Sequence, residues 1–126
     1  MKTEDLVHCL AKTETNDMPV ILLPRGLGEA SLLGDGGRAI GRWQLHPDWM
    51  HTQEVRFGLQ PKLNERHDDY HYRLVFAFVD HYLGTMDDLG VAMYFHLGHR
   101  ALPTDADWDQ KYAERFQTFA ADVAHP

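Results

Sequence analysis

Apolar and polar residues alternate at helical spacing over most of this chain. Leu6, Val7 and Leu10 fall on one face of a first helix, which Thr3 can cap. Asn16-Asp17 interrupts that pattern. A second apolar segment extends from about Met18 to Leu33, with Pro19 suited to a first turn and Pro24 a kink or restart. Gly26 and Gly28 weaken it further, a cost often tolerated where backbone must approach a ligand. Four glycines within residues 34–41 then mark tight turns, and Ala39 to Leu45 reads as a short strand or hairpin arm.

After Pro47 the periodicity is helical again. Asp48 to Phe57 forms one short helix that ends near Gly58. Asn64 can cap a longer one from Glu65 to Leu83, with Tyr72, Val75, Phe76, Val79 and Leu83 at helical spacing. Thr85 can cap Met86 to Leu97, which is apolar nearly all round and so predicted to be central. Pro103-Thr104 opens a last helix lined by Trp108, Tyr112, Phe116, Phe119 and Val123. Asp105, Asp107 and Asp109 then fall in its first turns, where the helix dipole favours negative charge. The expected fold is mainly α, an α+β arrangement with one small Gly-rich β-hairpin near residues 35–46. A chain of 126 residues fits a single domain spanning 1–126.

Charge narrows the partners. Twelve basic against nineteen acidic side chains leave a net charge of −7, unlike the basic surface that phosphate neutralisation demands. No nucleic acid and no membrane partner is expected, since no apolar segment approaches the roughly 18 residues of a span. The N-terminus carries Glu4 and Asp5 directly after Lys2 and lacks an apolar signal core. No secretory signal is read there, and cytoplasmic synthesis is expected, with release or injection by another route. The single cysteine, Cys9, excludes an internal disulfide and reads as a small buried hydrophobe. A monomer is expected, without cofactor.

Glu29 is the leading candidate for chemistry. It lies late in the glycine-interrupted apolar segment, beside Leu27, Leu32 and Leu33, and burial raises a carboxyl pKa. Such a group stays protonated near neutral pH and can donate to a leaving oxygen. Asp35 follows in a glycine turn, in a wetter setting. Two carboxylates in unlike environments are what glycoside hydrolysis requires. Arg42, Trp43, Gln44 and His46 follow at once and could hold a sugar.

The stretch Glu29-Ala30-Ser31, then Gly37-Arg38-Ala39-Ile40-Gly41-Arg42-Trp43-Gln44-Leu45-His46-Pro47, resembles the lysozyme and lytic transglycosylase superfamily. There a catalytic Glu ends a helix, and a Gly-rich hairpin with a Gly-x-x-Gln pattern follows, here Gly41-Arg42-Trp43-Gln44. Ala92-Met93-Tyr94-Phe95-His96-Leu97-Gly98 is similar to the Ala-rich helix that ends in a Tyr-Asn-x-Gly pattern. The segment Gly41 to Leu45 is also similar to plant-type chitinases. The resemblance covers roughly residues 18–100 and departs in two places: the serine after Glu29 is displaced by one, and Phe95-His96 stands for Tyr-Asn. Tyr94 or His96 could substitute for the missing phenol.

The resemblance implies a lysozyme-like domain that cleaves glycosidic bonds in peptidoglycan, of muramidase, endolysin or lytic transglycosylase type. Glu29 and Asp35 would be catalytic, and Arg42, Trp43, Gln44, His46, Tyr94 and His96 would bind the polysaccharide. A chitinase- or chitosanase-like hydrolase, and a non-catalytic structural or partner-binding protein of the same fold, are the alternatives. An acidic protein attracts cationic chitosan, which favours the former of these.

The histidines are weaker markers. His67 and His71 share a helix face at i, i+4 beside Asp68 and Asp69, which reads as a solvated face more readily than as a metal site. Trp108 reads as core and Trp43 as the better candidate for a cleft. The charge is uneven: residues 64–126 carry five basic and eleven acidic groups, a net of −6, so the half holding Glu29 is nearly neutral. With all nine histidines protonated the formal charge becomes −7 + 9 = +2, and binding of a polyanionic glycan should rise accordingly.

Overall fold

Helix α1 spans Thr3–Thr15 and buries Leu6, Val7, Cys9, Leu10 and Thr13, the apolar stripe of an amphipathic helix. It ends on Asn16, whose φ of 52° is a left-handed cap that asparagine tolerates better than most residues. The computed structural model of the chain describes residues 1–16, 33–34 and 39–124. Within them lie four further helices: α2 (Pro47–Phe57), α3 (His67–Tyr82), α4 (Asp88–Leu97) and α5 (Gln110–Ala124). The segment Met18 to Leu32, with Glu29, lies outside the described residues, as do Asp35 and Arg38.

Helix α1 packs on α3 and α5, α2 packs on α3, and α4 packs on α5. The buried positions follow from sequence spacing. In α3 they are Tyr70, His71, Leu74, Val75, Phe78, Val79 and Tyr82, so of the expected face only Val75 and Val79 are fully buried while Tyr72, Phe76 and Leu83 are half-buried; in α5 they are Tyr112, Ala113 and Phe116. Val91, Ala92, Met93 and Phe95 of α4 complete the core, in accord with the apolar character of that helix. Cys9 is fully buried, and burial pushes its thiol up to about 11, which leaves it an inert core group.

Among the described residues, extended structure is confined to two residue pairs. Strand β1 (Leu33–Gly34) pairs antiparallel with β2 (Ala39–Ile40), Leu33 opposite Ile40. Ile40 then bridges Leu45 through reciprocal backbone bonds of 3.0 and 2.9 Å. The hairpin expected over 35–46, with an arm from Ala39 to Leu45, is not seen: residues 41–44 form a turn. Gly41 at φ 80° and Gln44 at φ 50° both lie in the left-handed region, which a strand cannot accommodate. The fold is therefore mainly helical.

Several helix starts also differ from expectation. Thr3 lies inside α1 and its hydroxyl donates to Asp80 at 3.0 Å instead of capping. Helix α3 begins at His67, after Asn64 has adopted φ 63°. Asp87, not Thr85, caps α4, accepting from the Gly90 amide at 2.7 Å. The last helix begins at Gln110, not at Pro103, so Asp105, Asp107 and Asp109 precede it. Each acid instead has a local partner: Asp105 accepts from the Leu102 amide, Asp107 pairs with His99, and Asp109 accepts from the Tyr112 amide. Short polar side chains that bond nearby backbone compete with helix in this way.

Candidate functional site

A cleft of about 510 Å³ opens between the C-terminal end of α1, the turn at 41–46, the start of α2 and the end of α4. Its size falls in the range of small-molecule sites, about 300–1,000 Å³. Glu14, Trp43, Gln44, Leu45, His46, Trp49, Phe95, His96, Leu97 and Gly98 line it.

The turn is held rigidly. Trp43 is only 2% exposed, and its indole Nε1–H donates to the Val7 carbonyl at 2.8 Å, pinning the turn to α1. The ring edge also meets Tyr72, with centroids 6.1 Å apart. Trp43 thus lines the cleft as part of the core and is not a free stacking platform. Gln44 Nε2 donates to the Gly41 carbonyl at 2.8 Å, closing the turn across its base. Trp49 packs edge-on against Phe78 and Phe95 and forms the aromatic floor beside it.

The acidic end of the cleft is built from three helices' worth of side chains. His96, in the last turn of α4, places Nε2 2.9 Å from Asp109 Oδ2 and Nδ1 3.8 Å from Glu14 Oε1. Its ring stacks on Tyr112, with centroids 3.8 Å apart and planes 9° from parallel. The Tyr112 hydroxyl donates to Glu14 Oε1 at 3.0 Å. Burial pulls the His96 pKa down, but the Glu14 and Asp109 carboxylates outweigh it and hold the imidazole above its usual value. The Tyr112 amide, and then His96, hold the Asp109 carboxyl below its usual value. Burial, and then Glu14, push the Tyr112 phenol well up, so it remains a donor.

No family model, curated protein or solved structure matches this chain. The site is therefore read from its own geometry. Of the candidate residues, Trp43, Gln44, His46 and His96 meet in the cleft, though they are 53 positions apart at the extremes, 96 − 43. Arg42 and Tyr94 do not line it. Arg42 Nε donates to Asp68 Oδ1 at 2.8 Å, an ion pair that draws the guanidinium away along α3. Tyr94 faces the opposite side of α4, where it packs on Phe78 and Tyr82. Arg56 and Arg100 lie over the Tyr82 ring there. Helical geometry separates them: positions 94 and 96 differ by about 200° around the axis.

His71 also departs from expectation. It is 2% exposed, not part of a solvated face, and its Nδ1 has no hydrogen-bond partner. Among the described residues no group of three or more His, Cys, Asp or Glu side chains could hold a metal ion. None of the described helices is long and apolar enough to cross a membrane.

Glu14 and Asp109 are the site residues that sequence reasoning missed. Glu14 carried a usable signal: it follows Val7 by seven and Leu10 by four, which puts a carboxylate on the apolar stripe of α1. Asp109 carried none, because its role depends on α5 starting one residue later.

Proposed function

We propose that the chain is a glycoside-cleaving protein whose polysaccharide substrate lies in the cleft between α1, α2, α4 and the 41–46 turn. The observation that carries this reading is the convergence of Trp43, Gln44, His46 and His96 on one cavity of substrate size. The cleft also offers polar groups for a sugar's hydroxyls and, at the partly exposed Trp49, an aromatic edge beside them. Leu33, four positions after Glu29, pairs with Ile40, and Ile40 bridges the cleft residue Leu45.

In this reading Glu29 protonates the glycosidic oxygen as the bond to the anomeric carbon breaks. If Asp35 activates water, a reducing sugar is released and the reaction is hydrolysis. If the substrate's own hydroxyl attacks, an anhydro-sugar forms, as in lytic transglycosylases. Peptidoglycan is the substrate that the superfamily resemblance implies.

The test is digestion of bacterial walls, chitin and chitosan in parallel, with products identified by mass spectrometry. Cleavage of at least one polymer is expected, together with its loss in a folded Glu29→Gln variant. Full activity in Glu29→Gln, or inactivity of the native chain on all three, overturns the reading.

A further inference from the structure

We infer that the start of α3 is an acid-operated latch on the cleft: proton uptake at His71 opens the first turns of that helix, and the opening frees the 41–44 turn through Arg42. The inference concerns how the cleft wall is held, and it stands whatever ligand the cleft takes.

His71 sits where only its neutral form is at ease. It is 2% exposed, and Nδ1 has no hydrogen-bond partner. Protonation puts an N–H on both ring nitrogens, so Nδ1 would become a charged donor without an acceptor. His67 stands one turn earlier, with ring centroids 6.3 Å apart, and two charged rings at i, i+4 repel. The charged groups that other elements bring to this stretch are engaged elsewhere. From α1, His8 packs on Tyr72 and Glu4 lies near the same phenol. From α2, Glu54 accepts from the Tyr70 hydroxyl, with His51 beside it. From the turn, Arg42 pairs with Asp68. On α3 itself Arg73 pairs with Glu65, and Arg66 and Asp69 are exposed. Burial, and then His67, accordingly hold the His71 pKa down at about 4. A proton taken up near pH 5 therefore goes to a form in which the ring has reached water.

The start of α3 lends itself to such a form. Its N-cap is Arg66, a side chain with donors only, and no side chain caps the helix. Uncapped first turns fray, and a local opening costs less than unfolding the whole chain. His71 lies in the second turn of a helix that begins at His67, so opening its start is enough to wet the ring.

The same turns hold the cleft wall. Asp68 Oδ1 accepts from Arg42 Nε at 2.8 Å, and Arg42 directly precedes the cleft residues Trp43 and Gln44. Opening carries Asp68 away and removes this tie. The Trp43 indole stays bonded to the Val7 carbonyl of α1, so the turn is loosened at Arg42 while its anchor in the core remains. Within the turn, the Gln44 amide closes on the Gly41 carbonyl at 3.1 Å and the Leu45 amide on the Ile40 carbonyl at 2.9 Å. These two amides report its state.

The test is amide hydrogen exchange on the full chain, followed by NMR at pH 7 and pH 5, without urea and in urea below the unfolding transition. Each rate is divided by its intrinsic value. The amides of Tyr70, His71 and Tyr72 should lose about twentyfold in protection from pH 7 to pH 5, the ratio set by an imidazole near 4 in the closed form and near 6.5 in the open one. Gln44 and Leu45 should lose protection with them, by a smaller factor. Neither response should depend on urea, whereas the Phe116 amide in the core of α5 should stay more protected and respond to urea. Exchange at 70–72 that matches Phe116 in rate and urea dependence overturns the inference, because His71 then meets water only when the whole chain unfolds. A response at 70–72 that leaves Gln44 and Leu45 unmoved overturns it too, because the latch then does not reach the cleft. Arg42→Gln should keep the acid response at 70–72 and lose it at Gln44 and Leu45; a response kept at both places shows that Arg42 is not the link. His71→Leu should abolish both responses, and an unchanged response there counts against the inference. Where His71→Leu fails to fold, the exchange pattern of the native chain and of Arg42→Gln decides.

Discussion

His71 and His96 respond to protons in opposite senses because one is buried with no hydrogen-bond partner at Nδ1 and the other lies between two carboxylates. Burial, and then the neighbouring His67, lower the His71 pKa to about 4. The unfolded chain, with an imidazole near 6.5, binds that proton more readily than the folded one. The contribution to stability is therefore full above about pH 6.5 and is lost as pH falls toward 4. Between pH 7 and pH 5 the loss comes to about 2 kcal/mol. Urea unfolding at those two values should show it in the native chain, and His71→Leu should remove most of it. An equal acid sensitivity in His71→Leu would place the cause elsewhere. His96 has the opposite sign. Its raised pKa gives a contribution that is full below the ordinary imidazole value and is lost as pH rises through the folded one. The stability advantage of the native chain over His96→Gln should thus be larger at pH 6 than at pH 8.5, read from thermal midpoints. An advantage that grows with pH would mean that the Glu14 and Asp109 contacts do not hold the charged form.

At the scale of elements, the cleft depends on where helices stop. Helix α4 stops at Gly98, whose φ of 82° lets its amide close on the Tyr94 carbonyl and turns the chain away below His96. A Cβ there meets nothing within 4 Å, so the cost of Gly98→Ala is conformational alone, about 1–2 kcal/mol. The urea midpoint should fall by that amount with an unchanged slope; a neutral result would mean that the α4 end is not held in this geometry. Much of this element pattern was legible beforehand. The helical faces of α1, α4 and α5 followed from spacing, because Leu10, Met93 and Phe116 each bury where a helical period places them, whereas in α3 only Val75 and Val79 of the expected face are fully buried and Phe78, outside it, is too. The starts were not, because capping is decided among several polar residues in a row. Asp87 captured the α4 cap from Thr85, and Asp105 and Asp109 formed local bonds that delayed α5. The site was half legible for a related reason. Gln44, His46 and Trp43 are neighbours in sequence, so one turn delivers them together. Glu14 reaches the same cleft only through the packing of α1 against α5, and Arg42 leaves it only through Asp68 of α3. Pairings between distant elements have no local signature.

For the molecule as a whole, the question is whether its acidic charge governs which polymer reaches the cleft. The net charge is −7 with histidines neutral. Full protonation of all nine would give +2, but His71 resists protonation down to about pH 4, so near pH 5 the limit is −7 + 8 = +1. The surface field thus fades across the range in which His96 and His99, both held above the usual imidazole value, are already charged. His99 is raised first by the Arg100 carbonyl and then by Asp107, and it sits one residue past the cleft residue Gly98. Long-range attraction scales with net charge and is screened over roughly 10 Å at 0.1 M salt. Two polymers of opposite charge should therefore respond in opposite directions. Retention on chitosan should weaken from pH 6.5 to pH 5 and retention on peptidoglycan should strengthen, by several-fold each at low salt. Both trends should flatten in 0.5 M salt, leaving the contribution of the cleft itself. Sedimentation with peptidoglycan and with cross-linked chitosan, which stays insoluble in acid, across that pH and salt grid measures both trends at once. Parallel pH trends for the two polymers would show that net charge does not steer the encounter.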